Sequence, residues 1–325
     1  MYHKTYHKTT KETWLLIAAV VVLMLIMPFI LGKRNNYLMN ILISYCYYGI
    51  MAASLNLVNG YTGQLNMGHG AFMAIGGYTY AILSKTCGIP IGLSLTAAVV
   101  HSFLWGLLLG LACCKLSALY LAVTTIGFSR CVGIFLINEG WLTGGASGFS
   151  GIRRLTVMGH RFSNFELYYV ALALAVLCLI VCYRLVYSKT GRAFQAIRTA
   201  PVAAAAMGIN VNKYKFMVCG ISSAMGGLAG CIYALNINYL SPDTFNNGNI
   251  MFLTMNAVGG GMGNLAGPII GTFVIGALPE LLRPFASHLQ GVYGALIIII
   301  MVFMPGGIYG AFRKFKARYA ESGTR

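Results

Sequence analysis

The stretch NLVNGYTGQL at Asn56–Leu65 returns two hundred residues later as NAVGGGMGNL at Asn256–Leu265. The two stretches share asparagine, valine, glycine and leucine at corresponding positions, and each interrupts an apolar run. Paired, glycine-interrupted apolar segments are typical of membrane transporters, because only a protein-lined or wet cavity can satisfy the backbone groups that a broken helix exposes. The sequence therefore predicts an internal repeat that forms a pathway. The alternative is two unrelated close helix contacts built from glycine.

The composition indicates an integral membrane protein. Hydrophobic residues make up 58% of the 325 residues and charged residues only 9%, whereas a soluble surface needs about a quarter charged residues. The apolar runs suit helices that cross a hydrocarbon core of about 30 Å, and none alternates like a barrel strand. We predict an all-α, polytopic membrane helical bundle of about ten spans, forming one domain over residues 1–325. The predicted spans are Trp14–Leu31, Tyr37–Val58, His69–Leu83, Pro90–Ala112, Ser117–Ile137, Phe165–Tyr187, Tyr214–Asn236, Asn249–Val258, Leu265–Arg283 and His288–Met304, the glycine-rich pieces being either spans or re-entrant half-helices.

The charge distribution predicts the orientation. The net charge is +17, with 23 Lys and Arg against six acids, and the basic residues collect in the tail 1–13, the loop 188–213 and the tail 313–325. The positive-inside rule places such flanks in the cytoplasm, and an even number of crossings puts all three on one side. Three arginines of the loop 139–164 would then lie outside, against the rule. We read the charge as an orientation signal of a multi-pass bacterial inner-membrane protein, with no nucleic-acid partner.

Several function classes find little support in the sequence. The phosphate-binding pattern GxxxxGK[ST] is absent, so an ATP-driven step would need a partner protein. The six acids fall at or beyond the ends of the predicted spans, which disfavours a proton- or sodium-coupled carrier. We find no catalytic constellation, no metal-ligand spacing and no cofactor motif, and the cysteines are expected to pack as small hydrophobic residues. The chain is therefore not expected to be an enzyme.

The polar loop after the sixth predicted span reads KTGRAFQAIRTAPVAAAAMGINVNKYK from Lys189. We expect two short helices, the second capped by Thr199, with Pro201 in its first turn and a left-handed stop at Gly208. An alanine-lined face suits a helix that inserts into a groove on another protein. The alternative is an amphipathic helix that rests on the membrane surface.

Four segments, in this order, resemble the permease subunits of branched-chain amino acid ABC importers, the LivM-like group. They are SLNLVNGYTGQLNMGHGAFMAIGGYTYAIL, TGGASGFSGI, GRAFQAIRTAPVAAAAMGINVNKYK, and SPDTF followed by AVGGGMGNLAGPIIGTFVIGALPELL. The likeness runs from about Asn40 to Phe312. It implies a pathway shared with a second related permease subunit, two cytoplasmic ATP-binding subunits that drive transport, and an extracytoplasmic substrate-binding protein. The substrates would be branched-chain or other small amino acids.

The resemblance also places partner contacts on particular residues. The ATPase coupling contact would comprise Arg192, Arg198, Thr199, Pro201, Ala203, Ala204, Ala205, Ala206, Met207 and Gly208. The binding-protein contact would comprise Thr143, Gly144, Gly145, Ser147 and Gly148. Family members often carry acids just before the alanine run, which this chain lacks. Docking is therefore expected to rest on apolar fit and on Arg192 and Arg198.

The candidate pathway residues are small or neutral and polar, as a zwitterionic substrate with an aliphatic side chain requires. They are Asn56, Asn59, Gly60, Gly63, Gln64, Asn66 and His69 in the first segment, and Asn256, Gly260, Gly263 and Asn264 in the second. Each polar one could instead satisfy a neighbouring broken helix. Arg130, inside the fifth predicted span, is expected to face the protein interior and to pair with Glu139, with carbonyls or with the substrate carboxylate.

Three other functions remain open at this point. The chain could be a permease for urea or short amides in a related ABC importer. It could also be a stand-alone channel for a small solute, which would leave the cytoplasmic helix without a purpose. A purely structural membrane subunit is the third possibility.

Overall fold

A computed structural model of the protein describes residues 9–30, 35–113, 116–157, 160–245, 247–281, 289–304 and 306–311. The first eight residues of the tail 1–13 and all of the tail 313–325 lie outside the described residues. The helices are α1 (Thr9–Ile30), α2 (Asn36–Leu55), α3 (His69–Lys85), α4 (Ile91–Cys113), α5 (Ala118–Asn138), α6 (Gly140–Thr143), α7 (Asn164–Val186), α8 (Lys189–Thr199), α9 (Pro201–Ala206), α10 (Val211–Ile237), α11 (Asn247–Gly260), α12 (Ala266–Gly276), α13 (Leu278–Leu281) and α14 (Leu289–Phe303).

Four two-residue strands form two small antiparallel pairs. Strand β1 (Phe149–Ser150) pairs with β4 (Tyr239–Leu240), and β2 (Thr156–Val157) pairs with β3 (His160–Arg161). A π-helical segment, Asn56–Tyr61, continues α2, and short 3-10 turns occur at Gly145–Ser147 and Pro242–Phe245. The predicted all-α class is confirmed, because the strands are confined to loops at one end of a helical bundle.

Every predicted span coincides with a helix, but not every helix is long enough to cross a membrane. Within the described residues, five helices qualify by length and composition: α2 with its extension, α4, α5, α7 and α10. Helices α11 and α12 have 14 and 11 residues, which gives lengths of about 21 and 16 Å. They pack against each other as a hairpin of half-helices, so the figure of ten full spans stays a prediction. The predicted span Leu265–Arg283 comprises α12 and α13, which are separated at Ala277, and its last two residues lie outside the described residues.

Helix α10 forms the centre of the bundle. In its most apolar stretch 83% of the residues are buried, against 28% for α4 and 22% for α5. Glycines allow this central position: a Cβ atom on Gly76 of α3 would overlap the backbone of Gly227, and one on Gly230 would overlap the backbone of α3 at Met73. Small residues at such crossings let helix backbones approach closely, which is a main source of packing energy in membranes.

The bundle has two distinct ends. At the strand end, which carries β1 and β4, Lys85 Nζ donates a hydrogen bond to the Ser150 carbonyl at 2.7 Å and lies over the Phe149 ring. The opposite end, the glycine end, carries both glycine-rich segments together with α8 and α9. The chain therefore brings the predicted pathway segments and the polar loop 188–213 to one end of the molecule.

Two short helices form the polar loop, as predicted, but the cap differs. Thr199 Oγ1 donates back to the Gln195 carbonyl at 2.9 Å, and Ala200 occupies the N-cap position of α9 without any side-chain hydrogen bond. The prediction that Thr199 caps α9 is wrong, because the hydroxyl satisfies the last turn of α8 instead. Pro201 opens α9 and Gly208 ends it at φ +82°, both as expected.

Candidate functional site

The first glycine-rich segment ends a helix without leaving the protein interior. Helix α2 widens into the π-helical turn Asn56–Tyr61, and the chain then reverses at Gly63, whose φ of +69° favours glycine. π-Helical turns often mark functional sites because they displace the regular hydrogen-bond ladder. Asn56, at the start of this turn, is fully buried.

Asn56 joins the first segment to the second. Its side-chain Oδ1 accepts a hydrogen bond from the Gly263 backbone N–H at 2.8 Å, and its Nδ2 donates to the Asn264 carbonyl at 3.0 Å. A Cβ atom on Gly60 would lie 2.7 Å from the Gly263 nitrogen, so the two segments touch backbone to backbone. The structure thus brings together Asn56, Gly60, Gly263 and Asn264 as one cluster, which we call the glycine gate.

The second segment repeats two features of the first. Gly263 has φ +82°, matching the left-handed Gly63 at the corresponding position, and Asn256 is fully buried like Asn56. The environments of the asparagines differ, however, since neither side-chain polar atom of Asn256 has a hydrogen-bond partner in the part of the chain that the structure describes. Such a buried, unpaired amide is rare in proteins and calls for a functional or conformational explanation. Gly260 packs its backbone against Gly267 of α12, which holds the hairpin together.

The other polar residues of the first segment satisfy the interrupted backbone. Asn59 Oδ1 accepts from the Asn66 N–H at 2.9 Å, and Asn66 Oδ1 accepts from the Gly68 N–H at 2.9 Å. Gln64 is buried, and its Nε2 donates to Thr62 Oγ1 at 3.1 Å. These contacts favour the alternative in which single polar side chains stabilise the break. Their role in the pathway stays a prediction.

His69 opens α3 and is buried against α2. Its Nε2 lies 2.7 Å from Ser54 Oγ, and Ser54 Oγ itself donates to the Met51 carbonyl. Which of the two atoms donates depends on the tautomer of the imidazole. The other ring nitrogen, Nδ1, is buried and has no hydrogen-bond partner among the described residues. The histidine thus makes the interhelical contact expected of a lone histidine in a span.

Sequence reasoning missed the arginine that reaches this cluster. Arg198 lies in the last turn of α8, and its Nη1 donates a hydrogen bond to the Gly60 carbonyl. The same side chain packs against Gly63 and Gly263. The prediction assigned Arg198 to the docking surface for an ATPase, whereas the structure turns its guanidinium toward the glycine gate. Gly60 and Arg198 are far apart in the sequence and no motif links them, so the sequence alone gives no sign of this contact.

The remaining residues of the predicted coupling contact form an apolar surface on α9. Val202 and Met207 are each 83% exposed, and Ala203, Ala205 and Ala206 are exposed beside them. Ala204 is instead buried and anchors the helix. Arg192 is exposed on α8. Sequence reasoning named the alanines and Met207 but overlooked Val202, which is as exposed as Met207.

The predicted binding-protein contact is only partly accessible. Thr143 and Gly145 are buried, and Thr143 Oγ1 donates to the Leu136 carbonyl at 2.7 Å. Ser147 is exposed, while Gly144 and Gly148 adopt φ of +78° and +75° in the tight turn. The residue that projects from this loop is Trp141, which is 84% exposed and was not among the predicted contacts.

Arg130 does not face the interior as predicted. It lies near the middle of α5 on an exposed face, and within the described residues it has no hydrogen-bond or ion-pair partner. The expectation was wrong because α5 packs mainly against α3 at one side and leaves most of its circumference uncovered. An arginine at this depth cannot remain against lipid without a cost of about 3 kcal/mol.

Comparisons with known proteins agree with this arrangement. A family model described as "Branched-chain amino acid transport system / permease component" matches residues 37–305. The chain is 31% identical, over 92% of its length and 76% of the relative, to the high-affinity branched-chain amino acid transport system permease protein LivM of Escherichia coli (strain K12). It is 28% identical to the probable branched-chain amino acid transport permease protein LivH of Methanocaldococcus jannaschii, over 84% of this chain and 92% of the relative.

A more distant relative transports a different class of solute. The fructose import permease protein FrcC of Rhizobium meliloti is 25% identical over 77% of this chain and 72% of the relative. No solved structure matches the chain. The family model covers far more than half of the chain and includes both glycine-rich segments, α8 and α9. The chain therefore belongs to the permease-component family of branched-chain amino acid transport systems and is a membrane permease subunit of an ABC importer.

Proposed function

We propose that the chain forms half of a translocation pathway for branched-chain or other small amino acids. It works with a second related permease subunit, two cytoplasmic ATP-binding subunits and an extracytoplasmic substrate-binding protein. The observation that carries this proposal is the meeting of both glycine-rich segments with the helices α8 and α9 at one end of the bundle. A movement imposed on α8 and α9 would be transmitted to the glycine-rich segments through the contact of Arg198 with Gly60.

The glycine end faces the cytoplasm and the strand end faces outward. The loop at the glycine end carries Lys189, Arg192 and Lys213, and short basic loops remain on the cytoplasmic side. Both chain termini lie on that side as well. The matching conformations of Gly63 and Gly263 support a duplication of the two segments.

The apolar face of α9 docks on an ATP-binding subunit. Val202 and Met207 are exposed beside three alanines, and an isolated apolar face of this kind fits a groove on a partner protein. The small size of the alanines allows the partner surface to approach closely. Arg192 supplies a charge at the edge of this contact.

The exposed face of α5 borders the second permease subunit or the pathway between the two subunits. We base this placement on Arg130, because its charge needs protein acceptors, water or a substrate carboxylate at this depth. At the opposite end, Trp141 and Ser147 are placed to meet the binding protein, because both are exposed beside a rigid turn. Aromatic residues in this setting are common anchors of protein interfaces.

The transported amino acid needs few specific contacts within the chain. A zwitterion with an aliphatic side chain requires an apolar wall and a small number of dipoles that replace water around its charged ends. The buried amide of Asn256 and the buried imidazole of His69 are dipoles of this kind, since Nδ1 of His69 and both polar atoms of Asn256 have no hydrogen-bond partner among the described residues. Both belong to the predicted pathway residues.

Reconstitution tests the proposed function. The chain is co-expressed with its neighbouring genes, purified, and placed in liposomes with the cognate binding protein and ATP. We expect leucine, isoleucine or valine uptake that requires ATP and the binding protein, with urea and fructose as competing probes. Uptake of any probe by the chain alone, without an ATP-binding subunit, would contradict the importer mechanism. A preference for urea or fructose would leave the mechanism intact and overturn the substrate.

The α9 surface gives a separate prediction. Val202→Asp and Met207→Asp place a carboxylate on the apolar contact, so we expect the amount of co-purified ATP-binding subunit to fall about tenfold or more. Lys189→Asp, which introduces the same carboxylate at the exposed start of α8, serves as the matched control. Thermal stability of the isolated permease should not change, because Val202 and Met207 make few contacts within the chain. Equal co-purification of all three variants would place the docking surface elsewhere.

A further inference from the structure

Arg198 contacts the interior of the bundle although the residue is exposed. The residue is exposed on the last turn of α8, yet its guanidinium points toward the bundle and donates to the Gly60 carbonyl. Gly60 lies in the last turn of the π-helical segment. The carbonyls at a helix C-terminus carry partial negative charge and lack partners within the helix, so a cation is favoured there.

The two glycine-rich segments are shaped around this side chain. A Cβ atom on Gly63 would lie 3.1 Å from Arg198 Cγ, and a Cβ atom on Gly263 would lie 2.6 Å from its Nη1. Each of the two glycines therefore leaves room for a different part of the arginine, the stem or the tip. Gly63 and Gly263 occupy corresponding positions of the proposed internal repeat, so the Arg198 side chain contacts both halves of the repeat.

Arg198 lies between two parts of the chain, each of which is held in place by other residues. Helix α8 is fixed to the neighbouring helices by Phe194 and Ile197, which are buried, and the Phe194 ring packs edge-on against Tyr214 of α10. On the far side, Asn56 holds Gly263 and Asn264 to the first segment. Arg198 thus connects the α8–α9 pair with both glycine-rich segments.

The bond of Arg198 is suited to being made and broken. In the part of the chain that the structure describes, the guanidinium faces no carboxylate, and the ion pair found there is between His160 and Glu166 at the strand end. A backbone carbonyl holds a guanidinium less firmly than a bidentate carboxylate would. An arrangement that must open in each transport cycle favours the weaker contact.

We propose that Arg198 is a positioning residue that transmits the movement of α8 and α9 to the glycine gate and holds the gate closed toward the cytoplasm at rest. This role rests on the proposed function, in which α9 binds the ATP-binding subunit. It assigns Arg198 to the pathway side of the coupling and leaves the docking itself to the apolar surface of α9.

Two variants test the proposal in the assembled importer in liposomes. Arg198→Leu keeps apolar bulk but removes every donor, and Arg198→Lys keeps the charge but loses the planar fork. We expect leucine transported per ATP hydrolysed to fall about tenfold in Arg198→Leu and to take an intermediate value in Arg198→Lys. Co-purification of the ATP-binding subunit should be unchanged. Arg184→Leu, which removes an exposed charge from the last turn of α7, is the control.

Labelling of Cys219 tests the gate without any transport measurement. Cys219 is buried in α10, and its Sγ lies 3.6 Å from Oε1 of Gln64, next to Gly63. In inside-out vesicles we expect a membrane-impermeant maleimide to label Cys219 several-fold faster in Arg198→Leu than in the wild-type chain or in Arg184→Leu. Mass spectrometry of the Cys219 peptide gives the rate.

The outcomes separate this inference from the proposed function. Wild-type labelling and a wild-type ratio of leucine to ATP in both Arg198 variants would overturn the inference. Loss of the ATP-binding subunit from Arg198→Leu would also overturn it, because Arg198 would then be a docking residue. If Arg198→Leu fails to accumulate, Arg198→Lys decides by the same two measurements. Faster labelling of Cys219 in a chain that binds no ATP-binding subunit would support the gate and refute the importer mechanism.

Discussion

Gly230→Ala will destabilise the chain strongly, although alanine favours helices more than glycine does. The added Cβ atom would overlap the carbonyl of Met73 and lie 2.8 Å from the Gly77 nitrogen, so α3 and α10 must separate. Overpacking of this kind costs about 1–3 kcal/mol, and contact with backbone leaves no flexible side chain to yield. We expect a lower thermal midpoint in detergent, measured by size-exclusion chromatography after heating.

Gly133→Ala is the matched control for Gly230→Ala. Gly133 lies inside α5, and nothing is within 4 Å of the position where its Cβ would be. The same substitution should therefore raise stability slightly, by about 0.5–1 kcal/mol, through helix propensity alone. Opposite signs for the two variants are the expected result. A loss of equal size at both positions would show that the crossing of α3 and α10 is not the cause.

Asn56→Leu is expected to have the second large effect. The substitution removes both hydrogen bonds that hold the second glycine-rich segment, those to the Gly263 N–H and the Asn264 carbonyl. These backbone groups would remain without partners, at about 1–3 kcal/mol each. The glycine gate would therefore open or rearrange. We expect a lower thermal midpoint and little remaining uptake in the reconstituted importer.

Asn256→Leu makes the same chemical change at the corresponding position of the proposed repeat. The amide of Asn256 is buried and has no hydrogen-bond partner within the described ranges. Replacing it with an apolar side chain of similar size should therefore leave stability unchanged or raise it. We expect uptake to fall nonetheless, since the unpaired amide is one of the dipoles proposed for the pathway. A thermal midpoint that falls as far as in Asn56→Leu would refute the distinction between the two asparagines.

The helices could be predicted from the sequence because each apolar run is bounded by polar, proline or glycine signals. The offset between the two glycine-rich stretches identified Asn56 and Gly263 as important, and the structure places them in contact. The partner of each residue could not be predicted, however. Nothing in the spacing says that Asn56 binds the backbone of the second segment while the Asn256 amide has no hydrogen-bond partner among the residues described.

Two side chains of the polar loop make contacts that no sequence pattern could predict. Thr199 precedes Pro201, as a capping residue would, but its hydroxyl finds a closer acceptor at Gln195 in the preceding turn. Arg198 stands among exposed residues of a basic loop, which favoured a contact with another protein. Its direction follows instead from the Gly60 carbonyl at the end of the broken helix, which comes within reach of Arg198 only once the chain has folded.

The pairing of β1 with β4 has a mechanical consequence for the whole subunit. It ties the loop after α5 to the end of α10, while Tyr78 of α3 donates to the Leu240 carbonyl and Lys85 to that of Ser150. The loop after α5 and the strand ends of α3 and α10 are thus joined by backbone pairing and by two side-chain bonds to backbone carbonyls. We expect relative movement of these helices to be smallest at the strand end, so that any rearrangement of the subunit is larger toward the glycine end.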